Sequence, residues 1–169
     1  MVLAAAARLL ESRARSIHEV SRRLLDAGYR TELVEGVIGR LVELGILDDE
    51  AFGRAWVESR DRAHPRGARA LRDELRRKGI DGRVIDAILA DRATDTSRGV
   101  GDGRSDVDLD AAERLLARHA AALRRVADPR KRRQRAYGLL ARHGFDPDTA
   151  ASVASAFVSG SSTGDDAGP

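Results

Sequence analysis

The stretch GILDDEAFGRAWVESRDRAHPRGARALRDELRRKGI, residues 45–80, decides the fold. It holds a sharp helix start at Asp48-Asp49-Glu50, an aromatic-bearing helix, a break at His64-Pro65 and a basic helix closed by Gly79. Its last phrase, Leu75-Arg-Arg-Lys-Gly79-Ile80, sets a leucine four residues before a glycine and an apolar residue just after it. The same phrase occurs at Leu24-Leu-Asp-Ala-Gly28-Tyr29 and at Leu140-Ala-Arg-His-Gly144-Phe145. Six residues beyond each glycine stand Val34, Ile85 and Ala150; nine beyond stand Val37, Ile88 and Val153; ten beyond stand Ile38, Leu89 and Ala154. Three matches in phase identify a tandem helical repeat.

The spacing divides the chain. Gly28 to Gly79 is 51 residues and Gly79 to Gly144 is 65, an excess of 14. Residues 94–108 (TDTSRGVGDGRSDVD) match that excess, lack an apolar period and are rich in Gly, Asp and Ser. They read as a flexible linker. The expected architecture is all-α, an elongated tandem array of three three-helix repeats. The repeats cover 1–47, 48–93 and 109–158, and residues 159–169 (SGSSTGDDAGP) form a disordered tail.

Local signals place the helices. Ser16-Ile-His-Glu19 reads as a capping box, with Ile17, Val20, Leu24 and Ala27 on the face behind it. Thr31 is expected to cap the next helix, with Val34, Val37, Ile38 and Leu41 inward. Asp48 or Asp49 caps the helix that turns Phe52, Ala55, Trp56 and Ser59 inward. Paired carboxylates can also serve catalysis or a metal, but the cap position accounts for both. Beyond Pro65, Ala68, Leu71 and Leu75 face in, and Glu74 and Lys78 stand at i,i+4. In the third unit Asp110-Ala-Ala-Glu113 reads as a capping box, followed by the stripe Ala112, Leu115, Leu116, His119, Leu123 and Val126. His119 is read there as a partly buried, hydrogen-bonded core histidine. Asp128-Pro129 opens a helix with Ala136, Tyr137 and Leu140 inward, and Asp146-Pro147 opens the last, whose stripe ends at Phe157.

Composition narrows the function classes. With 42% apolar residues but only 4% aromatics, the cores must be built from Leu, Val, Ile and Ala in thin helical layers. The absence of cysteine excludes a disulfide framework, a thiolate metal site and a cysteine nucleophile. Arg8 and Glu11 interrupt the N-terminal apolar stretch, so no signal peptide is expected there, and no 18-residue apolar run exists. A cytoplasmic, monomeric protein without membrane contact is the expectation. The histidines at 18, 64, 119 and 143 form no metal-binding pattern, and Gly99-Val-Gly-Asp-Gly lies in the linker rather than between a strand and a helix. Neither an enzyme nor a cofactor is expected.

Charge is where the chain is uneven. The net +3 combines −2 over residues 1–53, +4 over 54–92, −3 over 93–112, +8 over 113–143 and −4 from 144 on. The second repeat carries Arg66, Arg69, Arg72, Arg76 and Arg77 on and before one helix. The third carries Arg130, Lys131, Arg132, Arg133 and Arg135, with Asp128 as the one nearby acid. In the second repeat Glu58, Asp61, Asp73 and Glu74 can make this an ordinary solvated face. In the third, repulsion is uncompensated without an anionic partner.

Three phrases together resemble the RecX family of RecA regulators: Arg-x-Arg-Ser-x-x-Glu (13–19), Gly-Ile-Leu-Asp-Asp-x-x-Phe (45–52) and Leu-x-x-Lys-Gly-Ile (75–80). The resemblance covers residues 3–92 strongly and 109–158 more loosely, the third repeat lacking the first two phrases. It implies a non-enzymatic regulator that binds the RecA filament on DNA and suppresses recombinase and ATPase activity. On that view Arg66, Arg69, Arg72, Arg76, Arg130, Lys131, Arg132, Arg133 and Arg135 line a concave face that meets filament or DNA, with weak direct DNA contact as a further expectation. The alternative is a helical module whose main target is nucleic acid itself. Salt separates the two, because direct phosphate binding falls steeply with ionic strength.

Overall fold

The computed structural model describes residues 1–94 and 106–160. They form nine helices and no strand: α1 (Val2–Ser12), α2 (Ile17–Asp26), α3 (Thr31–Glu43), α4 (Asp49–Ala63), α5 (Ala68–Arg77), α6 (Gly82–Thr94), α7 (Asp106–Arg124), α8 (Pro129–Arg142) and α9 (Pro147–Gly160). The expected linker lies mostly outside the described residues, as does the expected tail beyond Gly160. At the edges of those spans, Thr94 ends α6, residues 106–108 form the first turn of α7, and Ser159 and Gly160 belong to α9.

The repeated phrase is a repeated helix stop. Gly28, Gly79 and Gly144 have φ of 85°, 79° and 80°, a region that a Cβ makes costly. Each makes the same two bonds. Gly28 N–H donates to Leu25 O and Tyr29 N–H to Leu24 O; Gly79 to Arg76 O and Ile80 to Leu75 O; Gly144 to Ala141 O and Phe145 to Leu140 O. This is the Schellman pairing, which satisfies the carbonyls a helix end leaves open. Leu24, Leu75 and Leu140 are buried, and the apolar residue after each glycine folds back toward the same core. Val34, Ile85 and Ala150 are equally buried, so the phase of the repeat is the phase of the core.

The chain forms two compact units: Met1–Val57 with Asp73–Ile88, and Glu58–Arg72 with the described residues from Leu89 on. The second repeat contributes to both. In the first unit Ala6, Val20, Leu24, Val34, Leu41 and Leu47 form one cluster, with Leu9, Ile17 and Ile38 at its margin. In the second, Leu115, Leu116 and Leu123 of α7 pack with Ala136 and Leu140 of α8 and with Ala150, Val153 and Ala154 of α9. Both clusters are aliphatic apart from Tyr29 at the edge of one and Phe145 and Phe157 in the other.

Several local expectations are corrected. Thr31 does not cap α3; the cap is Arg30, in extended backbone and without a side-chain bond, because the first helical bonds already run to Arg30 O. On α4 the buried positions are Phe52, Gly53, Val57 and Asp61, while Ala55 and Ser59 are exposed. Gly53 belongs to that face because a side chain there would meet Ile88 Cδ1. α7 begins at Asp106 rather than at Asp110, since Asp108 has a buried partner described below. Tyr137 is 37% exposed and His119 is also exposed, so neither belongs to the core.

Candidate functional site

In the first unit the three phrases that carry the resemblance meet. Ser16 Oγ accepts from Glu19 N, as the capping box requires, and donates to Lys78 O at 2.6 Å. Glu19 does not complete the box. Its carboxylate takes Arg13 from its own phrase and Lys78 from the 75–80 phrase, at 3.1 and 2.9 Å. Asp49 of the 45–52 phrase accepts from Ile17 N at 2.8 Å, while Asp48 caps α4 by accepting from Glu50 N and Ala51 N. Lys78 Nζ also stands 4.5 Å from the centre of the Trp56 ring, which is stacked against Phe52, and Trp56 Nε1 donates to Glu74 at 2.9 Å. Lys78, read in the sequence as the helical partner of Glu74, is therefore committed to Glu19.

Charge and burial act in opposition here. Burial pushes the Glu19 carboxyl up, but the bonds from Arg13 and Lys78 and their charges outweigh it and hold it at about 2. Asp49 goes the other way: burial raises it, the Ile17 N–H bond lowers it, and the neighbouring Asp48 charge raises it again. Both aspartates at the head of α4 are thus occupied by backbone N–H groups. Among the described residues no cluster of acids and histidines could hold a metal ion.

The second unit is pinned by a buried node. Arg92 Nε and Nη2 donate to Asp61 at 2.9 and 3.0 Å, and Nη1 donates to Asp108 at 2.6 Å. Burial works against the guanidinium charge, and the two carboxylates outweigh it, so its pKa is raised above the ordinary value. Asp108 also accepts from Ala68 N, and Arg114 and Arg118 of α7 donate to the carbonyls of Asp61, Arg62 and Ala63 at the end of α4. The start of α5 sits on the end of α8: Gly67 N donates to His143 O, and a side chain at Gly67 would collide with the Gly144 carbonyl.

The nine basic residues singled out in the sequence are not equivalent. Arg76 lies in the first unit, 3.9 Å from Asp73. Arg66 and Arg72 are half-buried and engaged. Arg132 turns back to donate to Val126 O at 3.0 Å and to Ala127 O, closing the end of α7. The side chains of Arg69, Arg130, Lys131, Arg133 and Arg135 are exposed, with no hydrogen-bond or ion-pair partner among the described residues. Four of these lie on α8. Asp128, the nearby acid, spends one oxygen on the N–H groups of Arg130 and Lys131. Sequence reasoning missed Arg142, which stands eleven residues beyond Lys131 and shares its helix face. It also read His119 inward when it is exposed.

Helices in tandem three-helix units, with a dense run of exposed cations on α8, define a helical-repeat protein. The chain belongs to the RecX family. Family models for the first, second and third three-helix domains of RecX match residues 3–41, 48–89 and 106–153. The regulatory protein RecX of Mycobacterium sp. (strain JLS) is 38% identical over 156 residues, covering 90% of this chain and 79% of that one. That of Thermobifida fusca (strain YX) is 37% identical over 114 residues, covering 68% and 55%. The fold is that of the crystal structure of RecX from Lactobacillus salivarius, with a TM-score of 0.77, 17% identity and coverage of 92% and 94%. A second crystal structure, of regulatory protein RecX, gives a TM-score of 0.70 at 22% identity, covering 90% of this chain and 71% of that one.

Proposed function

We propose that this chain is a non-enzymatic regulator that binds the RecA filament on DNA and lowers its recombinase and ATPase activity in recombination and repair. Membership of a family of regulatory proteins supports the reading. The observation that carries it is α8, where Arg130, Lys131, Arg133 and Arg135 are exposed and have no carboxylate partner among the described residues. Four like charges over six residues repel one another unless an anion lies against them. A nucleoprotein filament offers such an anion. The chain acts by occupying the filament; of its paired aspartates, Asp48 caps α4 and Asp49 holds the Ile17 N–H.

The test is RecA ATPase on single-stranded DNA with and without the protein. Turnover falls as the protein is titrated in. Unchanged turnover at saturating protein sinks the reading. The direct nucleic-acid module remains the second reading, favoured by the same cations. It predicts binding to bare DNA that collapses with salt and leaves ATPase unaffected at equal occupancy.

A further inference from the structure

Between α7 and α8 runs an open groove of about 690 Å³. Its walls carry His119, Lys131, Gln134, Arg135 and Arg142, and no carboxylate lines it. Its base is aliphatic, from Leu123 and Leu139, both part of the second unit's core, and it is widened where Gly138 has no side chain. The side chains of His119, Lys131, Arg135 and Arg142 have no hydrogen-bond or ion-pair partner among the described residues.

The layout of the charges selects the ligand. Lys131, Arg135 and Arg142 fall at i, i+4 and i+11, one face of α8, and span about 16 Å along its axis. A compact anion would cover one end of that row. A nucleic-acid strand advances about 3.4 Å per nucleotide in B form, so roughly five phosphates lie alongside it. The groove is open rather than enclosed, as a continuous chain requires, and it lacks the aromatic platforms that would make base stacking the main contact. Arg130, Arg132 and Arg133 do not line it.

We propose that this groove seats the phosphodiester backbone of a nucleic-acid strand, held by Lys131, Arg135 and Arg142. The inference rests on the proposed function only in taking the DNA of the filament as the source of that strand. Three features follow. Contact is sequence-independent, because phosphates carry no base information. Two of the three cations come from the dense run, and the third comes from the far end of the helix. Gly138 matters for its missing volume.

The experiment uses the full chain and a fluorescein-labelled single-stranded oligonucleotide, read by anisotropy over a salt series without RecA. The same proteins are assayed in parallel for inhibition of RecA ATPase. Lys131→Gln/Arg135→Gln/Arg142→Gln flattens the slope of log affinity against log salt by about 2, as loss of three single-strand phosphate contacts demands. Arg8→Gln/Arg22→Gln/Arg23→Gln removes the same charge elsewhere and keeps the slope. Gly138→Leu fills the groove with no change of charge; its Cβ meets only the tip of Arg142, and it weakens binding without lowering the melting temperature. Should the groove triple fail to fold, Gly138→Leu decides. Equal losses in the two triples, or wild-type binding by Gly138→Leu, overturn the proposal. So does displacement of the oligonucleotide by ATP as effectively as by unlabelled strand, which would make this a small-anion pocket. If the groove triple loses ATPase inhibition while binding the oligonucleotide normally, the groove assignment fails and the filament reading stands. If it loses the oligonucleotide but inhibits ATPase fully, the groove stands and inhibition arises elsewhere.

Discussion

Lys78 Nζ donates to Glu19 Oε1 at 2.9 Å across 59 residues of chain, and in doing so ties the close of the second repeat's basic helix to the opening of the first repeat's second helix. Glu19 is 19% exposed and Lys78 20%, so the pair is neither deep in a core nor free in solvent. It differs in kind from the surface pairs, such as Arg22 with Asp26 at 3.7 Å, in which both partners are more than two-thirds exposed and little stability is at stake.

Removing that carboxylate's charge has a pH signature. The Glu19 carboxyl falls from an ordinary 4.5 to about 2 in the folded protein, so its contribution is present above 4.5 and lost as pH falls toward 2. Glu19→Gln lowers stability at neutral pH by about 1.5–3 kcal/mol, the range for hydrogen bonds to charged groups. Its urea midpoint also falls less than that of the wild type between those two pH values. Parallel curves for the two proteins would show that Glu19 is not the acid-sensitive group.

Glycine substitutions separate backbone strain from crowding. Gly28 and Gly79 share a positive φ, but a Cβ at Gly28 meets open space whereas one at Gly79 runs into the His18 side chain. Gly28→Ala costs about 1–2 kcal/mol from conformation alone. Gly79→Ala costs more, and thermal melts of the two proteins side by side measure the difference.

The buried node of the second unit ranks its own members. Asp61 is 2% exposed and accepts two bonds from Arg92, while Asp108 is 13% exposed and accepts one. Removing one partner of a buried pair leaves the other charge uncompensated, at about 3–5 kcal/mol. Asp61→Asn falls at the top of that range or beyond and Asp108→Asn at or below its foot, as chemical denaturation will show. The reverse order would mean that Asp108 holds Arg92 and Asp61 merely accompanies it.

On α8, Arg130→Ser/Lys131→Ser/Arg133→Ser/Arg135→Ser keeps the fold, because the buried residues Ala136 and Leu140 are untouched. Arg132 is left in place because it closes α7. The quadruple variant inhibits RecA ATPase less than wild type and with weaker salt dependence, whereas Arg8→Ser/Arg22→Ser/Arg23→Ser inhibits normally. Equal inhibition by both at matched melting temperature would move the filament contact away from α8.

The helices and their stops were legible because they rest on short-range rules. A leucine, a glycine and an apolar residue in fixed order state a Schellman end, and Asp128-Pro129 states a helix start that the structure repeats in the bonds to Arg130 and Lys131. Inward faces were less legible where periodicity alone had to choose. Tyr137 lies near Ala136 and Leu140 in sequence, but the face that meets α7 and α9 stops short of it. His119 was assigned to the α7 core stripe by spacing and instead opens onto the α8 groove.

Sequence alone determined the repeat, its phase, the helix-ending glycines and the basic character of α8, since each is a property of neighbouring residues or of regular spacing. Tertiary structure alone decided which charges are committed. Glu19 leaves its capping box for Lys78, Asp108 leaves the expected linker for Arg92, and Arg132 leaves the basic run to close α7. The physical reason is that an ion pair is chosen by proximity in space and by the solvent it excludes. Neither quantity is written in the order of the residues.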